Sequence, residues 1–131
     1  MDGLFVIYGV VKRGKNRGKA LGFPTANIEV STGIQEGVYL SVTKLKKLEF
    51  PSLTFVGKAK TFGEDLFQAE SYILNFDRDI YGEKIAIRLL KKIRDNLVFS
   101  SAEALKEQME KDKKTAVIFF SGYKKVYNKS V

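Results

Sequence analysis

Hydrophobic positions fall into short runs divided by glycine, proline and polar clusters, until a helical spacing takes over after about residue 100. Leu4-Phe5-Val6-Ile7-Tyr8-Gly9-Val10-Val11 is an unbroken apolar run and predicts a strand buried on both faces, or nearly so. A basic, glycine-punctuated loop follows over residues 12–23, then a brief alternation at Ile28-Glu29-Val30 and a turn-like stretch over 31–36. Residues 37–43 and 53–59 predict two further strands, the latter after an edge or loop around Phe50-Pro51.

Residues 67–76 are the most informative. Period-two alternation places Gln68, Glu70, Tyr72, Leu74 and Phe76 on one face, and Phe67, Ala69, Ser71, Ile73 and Asn75 on the other. Glu70 thus shares a face with aromatic and apolar side chains. Asp77-Arg78-Asp79 reads as a tight reversal and residues 84–90 as a returning strand, so the pair predicts an antiparallel hairpin with Tyr81-Gly82 near its bend. Ser100 with Glu103 three positions on is a capping-box pattern. Ala102, Leu105, Met109 and Ala116 then make one helical stripe, broken by polar positions, over roughly residues 101–114. The apolar tail Val117-Ile118-Phe119-Phe120 fits a helix extension and a covering segment equally well. Short strands followed by one amphipathic helix exclude the βαβ alternation of dinucleotide-binding and P-loop folds. They fit a compact, mainly antiparallel barrel with a C-terminal helix.

Composition narrows the chemistry. The 131 residues predict one domain, and with neither cysteine nor histidine there is no disulfide framework and no conventional zinc site or catalytic triad. Acid–base work would fall to carboxylates, lysine or tyrosine. The net charge of +8, from 23 basic and 15 acidic residues, attracts polyanions without choosing among nucleic acid, acidic membrane and nucleotide phosphate. No apolar run approaches 18 residues and the N-terminus has no basic leader, which predicts a soluble, cytoplasmic protein. Phe5, Tyr8, Tyr39, Phe55 and Tyr72 on basic strands also suit an oligonucleotide-binding barrel, although such residues are ordinary core material.

The chemical residues concentrate in Gly18-Lys19-Ala20-Leu21-Gly22-Phe23-Pro24-Thr25-Ala26-Asn27. Glycines let backbone N–H groups approach phosphate oxygens, and a hydroxyl with an amide supplies hard oxygen ligands. Thr25 and Asn27, two apart on extended backbone, emerge on one side and can converge on one ion. The upstream Gly9-Val10-Val11-Lys12-Arg13-Gly14-Lys15 imitates a Walker A loop, but Asn16 stands where a hydroxyl must hold magnesium, so that motif is rejected.

Set in order, these segments resemble the riboflavin kinase (flavokinase) family. The resemblance runs through Gly9-x-Val11-x-x-Gly14, the stretch from Gly18 to Ile28, Gly37-Val38-Tyr39 and Gly57-Lys58-Ala59-Lys60-Thr61-Phe62. It continues through Glu70, Phe76-Asp77-x-Asp79-Ile80-Tyr81-Gly82, Leu90-x-Lys92-Ile93-Arg94-Asp95, Phe99-Ser100-Ser101 and Leu105-x-x-Gln108-x-x-x-Asp112, covering about residues 5–116. It implies a small closed antiparallel β-barrel of about six strands, Greek-key in type, with a C-terminal α-helix. One kinase domain over 1–131 is expected, its barrel about 4–92 and its helix about 101–115. The implied activity moves the ATP γ-phosphoryl group to the ribityl 5'-hydroxyl of riboflavin, giving FMN and ADP with Mg2+.

By the same resemblance Glu70 is the catalytic base, and Thr25 and Asn27 serve the metal. Nucleotide and phosphate binding falls to Gly14, Arg17, Gly18, Lys19, Gly22, Pro24, Thr25 and Asn27; flavin binding falls to Arg94, Leu105 and Gln108. Lys19 stands where the family often has arginine, and Lys60 where it commonly has proline. The resemblance implies a monomer whose partners are riboflavin and ATP, with no nucleic acid and no membrane. Many bacterial members carry an adenylyltransferase domain as well; this chain fits a kinase alone or a segment cut from a longer protein, making FMN and not FAD. The alternatives are a non-catalytic flavin- or nucleotide-binding relative and a basic nucleic-acid-binding barrel.

Overall fold

The computed structural model describes residues 5–12, 25–30, 33–61, 64–76 and 78–129. Among them lie six strands, β1 (Phe5–Val10), β2 (Ala26–Glu29), β3 (Gly37–Leu45), β4 (Leu48–Thr61), β5 (Glu64–Ile73) and β6 (Lys84–Arg94), and one helix, α1 (Ala102–Lys129). All strand pairs are antiparallel, in the order β1-β6-β3-β4-β5-β2. Strands β3, β4 and β5 form a meander and β6 returns beside β3, the Greek-key order that was expected. The sheet nearly closes on itself where Lys12 bridges Asn27, its N–H donating to the Asn27 carbonyl at 2.7 Å.

Alternation along the strands makes two cores. Ile7, Ile28, Tyr39, Leu45, Val56, Ala69, Ile73, Ile85, Ile87 and Leu89 point into the barrel. Val38, Leu40, Val42, Leu53, Tyr72 and Leu74 point outward and are covered by Met109, Ala116 and Phe120 of α1. Between the apolar layers the barrel interior holds five fully buried hydroxyls. They form one chain, Thr54···Ser41···Ser52···Thr43···Ser71, with oxygens 2.7 to 2.8 Å apart. Each hydroxyl brings one proton and two acceptor sites, so a linear chain satisfies these groups without water.

Four expectations change. The apolar run at the N-terminus is buried on one face only: Ile7 points inward, while Val6 and Val10 are exposed and Tyr8 is 75% exposed. Strands β5 and β6 are not a hairpin. The connection between them crosses the end of the barrel, with Ile80 buried in the interior core and Phe76 packed edge-on to Phe50 at 5.0 Å, so the strands land on opposite sides. Asn75 turns the chain in the left-handed region (φ 55°), which takes Phe76 off the face that Tyr72 and Leu74 share. Pro51 lies inside β4. Its carbonyl accepts from Leu74 N–H at 2.9 Å, so its polar groups face β5 beyond the end of that ladder and the missing N–H breaks no bond to β3.

The helix differs at both ends. Its cap is Ser101, whose hydroxyl accepts from Ala104 N–H at 3.1 Å, one residue later than the capping-box pattern predicts. The apolar tail continues the helix, because Phe120 falls on the stripe of Met109 and Ala116 and is buried with them. No helix among the described residues is long and apolar enough to cross a membrane.

Asp112 occupies this same buried stripe and is only 3% exposed. Arg94 answers it with a fork, Nε at 2.9 Å from Oδ1 and Nη2 at 2.7 Å from Oδ2, and Gln108 adds Nε2 at 3.0 Å to Oδ1. The helix is thereby pinned to the end of β6. Gly37 makes room beside this corner: at φ 150° it adopts a conformation side chains rarely take, and a Cβ would lie 2.9 Å from the Arg94 carbonyl.

Ser52→Ala, which breaks the hydroxyl chain in the middle, is expected to cost about 2 kcal/mol in urea unfolding, and Thr54→Val at its end about 1 kcal/mol. Asp112→Ala leaves the partly buried Arg94 guanidinium without its carboxylate and is expected to cost about 2–3 kcal/mol, whereas Arg94→Met with Asp112→Leu recovers most of that loss. Equal costs for the single and double variants would show that the pair does not anchor the helix.

Candidate active site

Strands β2 and β5 pair with Ala26 opposite Ser71 and Asn27 opposite Glu70. Since Ala26 and Ser71 point into the barrel, the pleat sends Asn27 and Glu70 to its outer surface, side by side. Thr25, immediately before β2, reaches the same carboxylate: its hydroxyl donates to Glu70 Oε1 at 3.4 Å. Gln68, two residues before Glu70 on the same face, donates from Nε2 to Oε2 at 3.1 Å. Three elements of the sequence pattern, Thr25, Asn27 and Glu70, are therefore brought together.

Asn27 carries the most telling feature. Its side chain is buried, its Nδ2 donates to the Thr25 carbonyl at 3.5 Å, and its Oδ1 has no hydrogen-bond partner among the described residues. A buried acceptor without a donor costs about 1–3 kcal/mol, a cost that a cation bound there would offset. Thr25 gives its only proton to Glu70, which leaves its lone pairs able to accept from a donor or a cation. No cluster of three or more acidic side chains able to hold a metal occurs among the described residues. The oxygens of Thr25 and Asn27 are neutral and lie beside the Glu70 carboxylate, a donor set compatible with a hard cation that would complete its shell with other oxygens.

The site continues as a row across the outer surface. Asn27 faces Glu70, Glu70 faces Phe55, Phe55 faces Val38 and Val38 faces Arg94, one residue from each of five adjacent strands. At about 4.8 Å per strand, the row from Glu70 to Arg94 is roughly 14 Å long. Its middle is apolar: Phe55 is half-buried, and Val38 is fully buried in the cluster under α1, against which Leu105 also packs.

Arg94 and Gln108 both turn their nearest donors to Asp112, and Arg94 Nη1 also donates to the Asp95 carbonyl at 3.0 Å. This uses three of the five guanidinium N–H groups. The following segment is tied by Asn96, whose Nδ2 donates to the Val56 carbonyl at 3.0 Å, and by Lys92, 2.6 Å from Asp95. The hydrogen bond from Lys92 and its charge hold the Asp95 carboxyl below the usual range. Burial pushes the Tyr39 phenol up, with Lys92 pulling the other way, and that phenol donates to the Gln35 carbonyl.

Gly14, Arg17, Gly18, Lys19, Gly22 and Pro24 lie outside the described residues. Two residues were missed in the sequence. Gln68 was legible as the i−2 neighbour of Glu70 on one strand face, and Asp112 as a charge set in the apolar stripe of the helix. Of the aromatics considered for nucleic-acid stacking, Tyr39 and Tyr72 are buried and Phe55 half-buried, leaving Phe5 and Tyr8 exposed.

Comparison with known proteins agrees with this fold. The family model described as riboflavin kinase matches residues 2–120. The chain is 40% identical over 119 residues to the trifunctional protein RibF/MnmA of Mycoplasmoides gallisepticum, covering 88% of this chain and 18% of that protein. It is 38% identical over 109 residues to the RNA-binding riboflavin kinase RibR of Bacillus subtilis, covering 82% and 47% respectively. The chain thus spans less than half the length of these two relatives. The crystal structure of riboflavin kinase from Trypanosoma brucei superposes with a TM-score of 0.62 at 24% identity, over 90% of this chain and 80% of that one, and shows the same fold. The ordered motifs, the Greek-key barrel and the family match converge, and the chain belongs to the riboflavin kinase family.

Proposed function

We propose that this chain is an ATP:riboflavin 5'-phosphotransferase that forms FMN and ADP. The observation that carries the reading is the convergence of Thr25, Asn27 and Glu70 on one patch of the outer barrel surface, with the Asn27 Oδ1 buried beside them. The proposal covers residues 1–131 as one kinase domain, acting as a cytoplasmic monomer on riboflavin and ATP without nucleic-acid or membrane partners.

Phosphoryl transfer asks for alignment and charge neutralisation more than covalent help. Glu70 serves as the general base, taking the proton of the terminal ribityl hydroxyl as that oxygen bonds to the γ-phosphorus and the bond to the ADP oxygen breaks. Thr25 and Asn27 would hold Mg2+, which when bound would offset the charge of the nucleotide phosphates. The backbone N–H groups of Gly14, Gly18 and Gly22, with Arg17, Lys19 and Pro24, cover the nucleotide phosphates. The flavin ring lies along the row toward Arg94, against Phe55 and Leu105. Arg94 keeps two guanidinium N–H groups for it, and Gln108 fixes the Asp112 carboxylate that orients Arg94.

Incubation with riboflavin, ATP and Mg2+ is expected to give FMN, separable by chromatography; no FMN over a metal and nucleotide screen would sink the activity. Glu70→Gln is expected to lower kcat by about 10²–10⁴ while calorimetric nucleotide binding is unchanged. Thr25→Ala and Asn27→Ala are each expected to raise the Mg2+ concentration for half-maximal activity by at least about tenfold. Unaltered metal dependence in both variants would remove them as ligands.

A further inference from the structure

Glu70 is useful as a base only if a defined carboxylate oxygen meets the incoming hydroxyl, and its terminal torsion is intrinsically broad. The structure supplies a donor on each oxygen. Thr25 Oγ1 lies 3.4 Å from Oε1, on the side of β2, and Gln68 Nε2 lies 3.1 Å from Oε2. We propose that Gln68 is a positioning residue for the transfer, fixing the carboxylate plane of Glu70 so that Oε1 is the oxygen presented to the substrate. The inference rests on the reading of Glu70 as the base.

Three features make Gln68 suited to this task. It stands at i−2 on the same strand, so the backbone that places Glu70 also places its partner. Its neighbour on β4 is Gly57, which brings no side chain against the amide. Its neighbour on β2 is Glu29, a competing carboxylate, and Lys12 holds that one at 3.2 Å. The Gln68 amide is thus directed to Glu70 by strand geometry on one side and by a satisfied competitor on the other.

Losing the donor on Oε2 removes an anchor of the Glu70 carboxylate plane and frees it to rotate away from the attacking hydroxyl. Gln68→Met keeps the length and volume of the side chain without the donor. It is expected to lower kcat about 10- to 100-fold and to leave KM for riboflavin and ATP and the Tm unchanged. A Gln68→Met enzyme with the wild-type kcat, beside an inactive Glu70→Gln enzyme, would overturn the positioning role and leave the base intact. Activity retained by Glu70→Gln would instead overturn the base. A loss in Gln68→Met that appears in KM or in a lowered Tm, with kcat unchanged, would mark Gln68 as merely structural.

Discussion

The register of β5 between β4 and β2 is the constraint on which the site depends. Consecutive residues of this strand serve opposite sides of the sheet: Ser71 ends the interior hydroxyl chain, and Glu70 stands outside beside Asn27. A slip of one residue would bury a carboxylate in the barrel and turn the serine to the surface. The hydroxyl chain opposes such a slip, because Ser71 must meet Thr43 across the interior while β4 pairs beside it. An apolar interior would tolerate sliding better than this directed set of hydrogen bonds. The core thus fixes where the carboxylate emerges.

The helix depends on a second, electrostatic constraint. Apolar packing of Met109, Ala116 and Phe120 sets the face of α1 that meets the barrel. Packing alone leaves position along the axis loosely defined. The fork between Arg94 and Asp112 defines it, since a bidentate ion pair in a buried setting tolerates little displacement. The same contact orients the start of the segment after β6, so the apolar wall contributed by Leu105 and the far end of the row are set together.

Much of this was legible in the sequence. Alternation over residues 67–74 assigned the faces of β5 correctly, and the ordered motifs joined Thr25, Asn27 and Glu70 before any contact was known. The misreadings have physical causes. Residues 4–11 are uniformly apolar, and such a run does not reveal that one face stays exposed. The reversal at residues 77–79 looked like a hairpin because local turn chemistry is blind to the burial of Ile80, which carries the chain across the barrel end. Pro51 suggested a break in a strand that continues, because the direction in which its missing donor points depends on register. Asp112 is one of the polar positions that interrupt the helical stripe, and only the position of Arg94 makes it an anchor.

The narrow, hydroxyl-filled interior has a consequence for how such a protein diversifies. The described inward side chains pack among themselves, and Asn27 and Glu70 stand on the outer face of the sheet. Inward residues answer to folding, while the outward ones are divided: Val38, Leu40, Val42, Leu53 and Leu74 pack under α1, and Asn27 and Glu70 lie outside that second core. A substitution at one outward position can therefore alter what is bound while the neighbouring inward position keeps the barrel closed. On β2 and β5 the alternation thus sets a barrel-packing residue and an outward polar one side by side, Ala26 with Asn27 and Ser71 with Glu70.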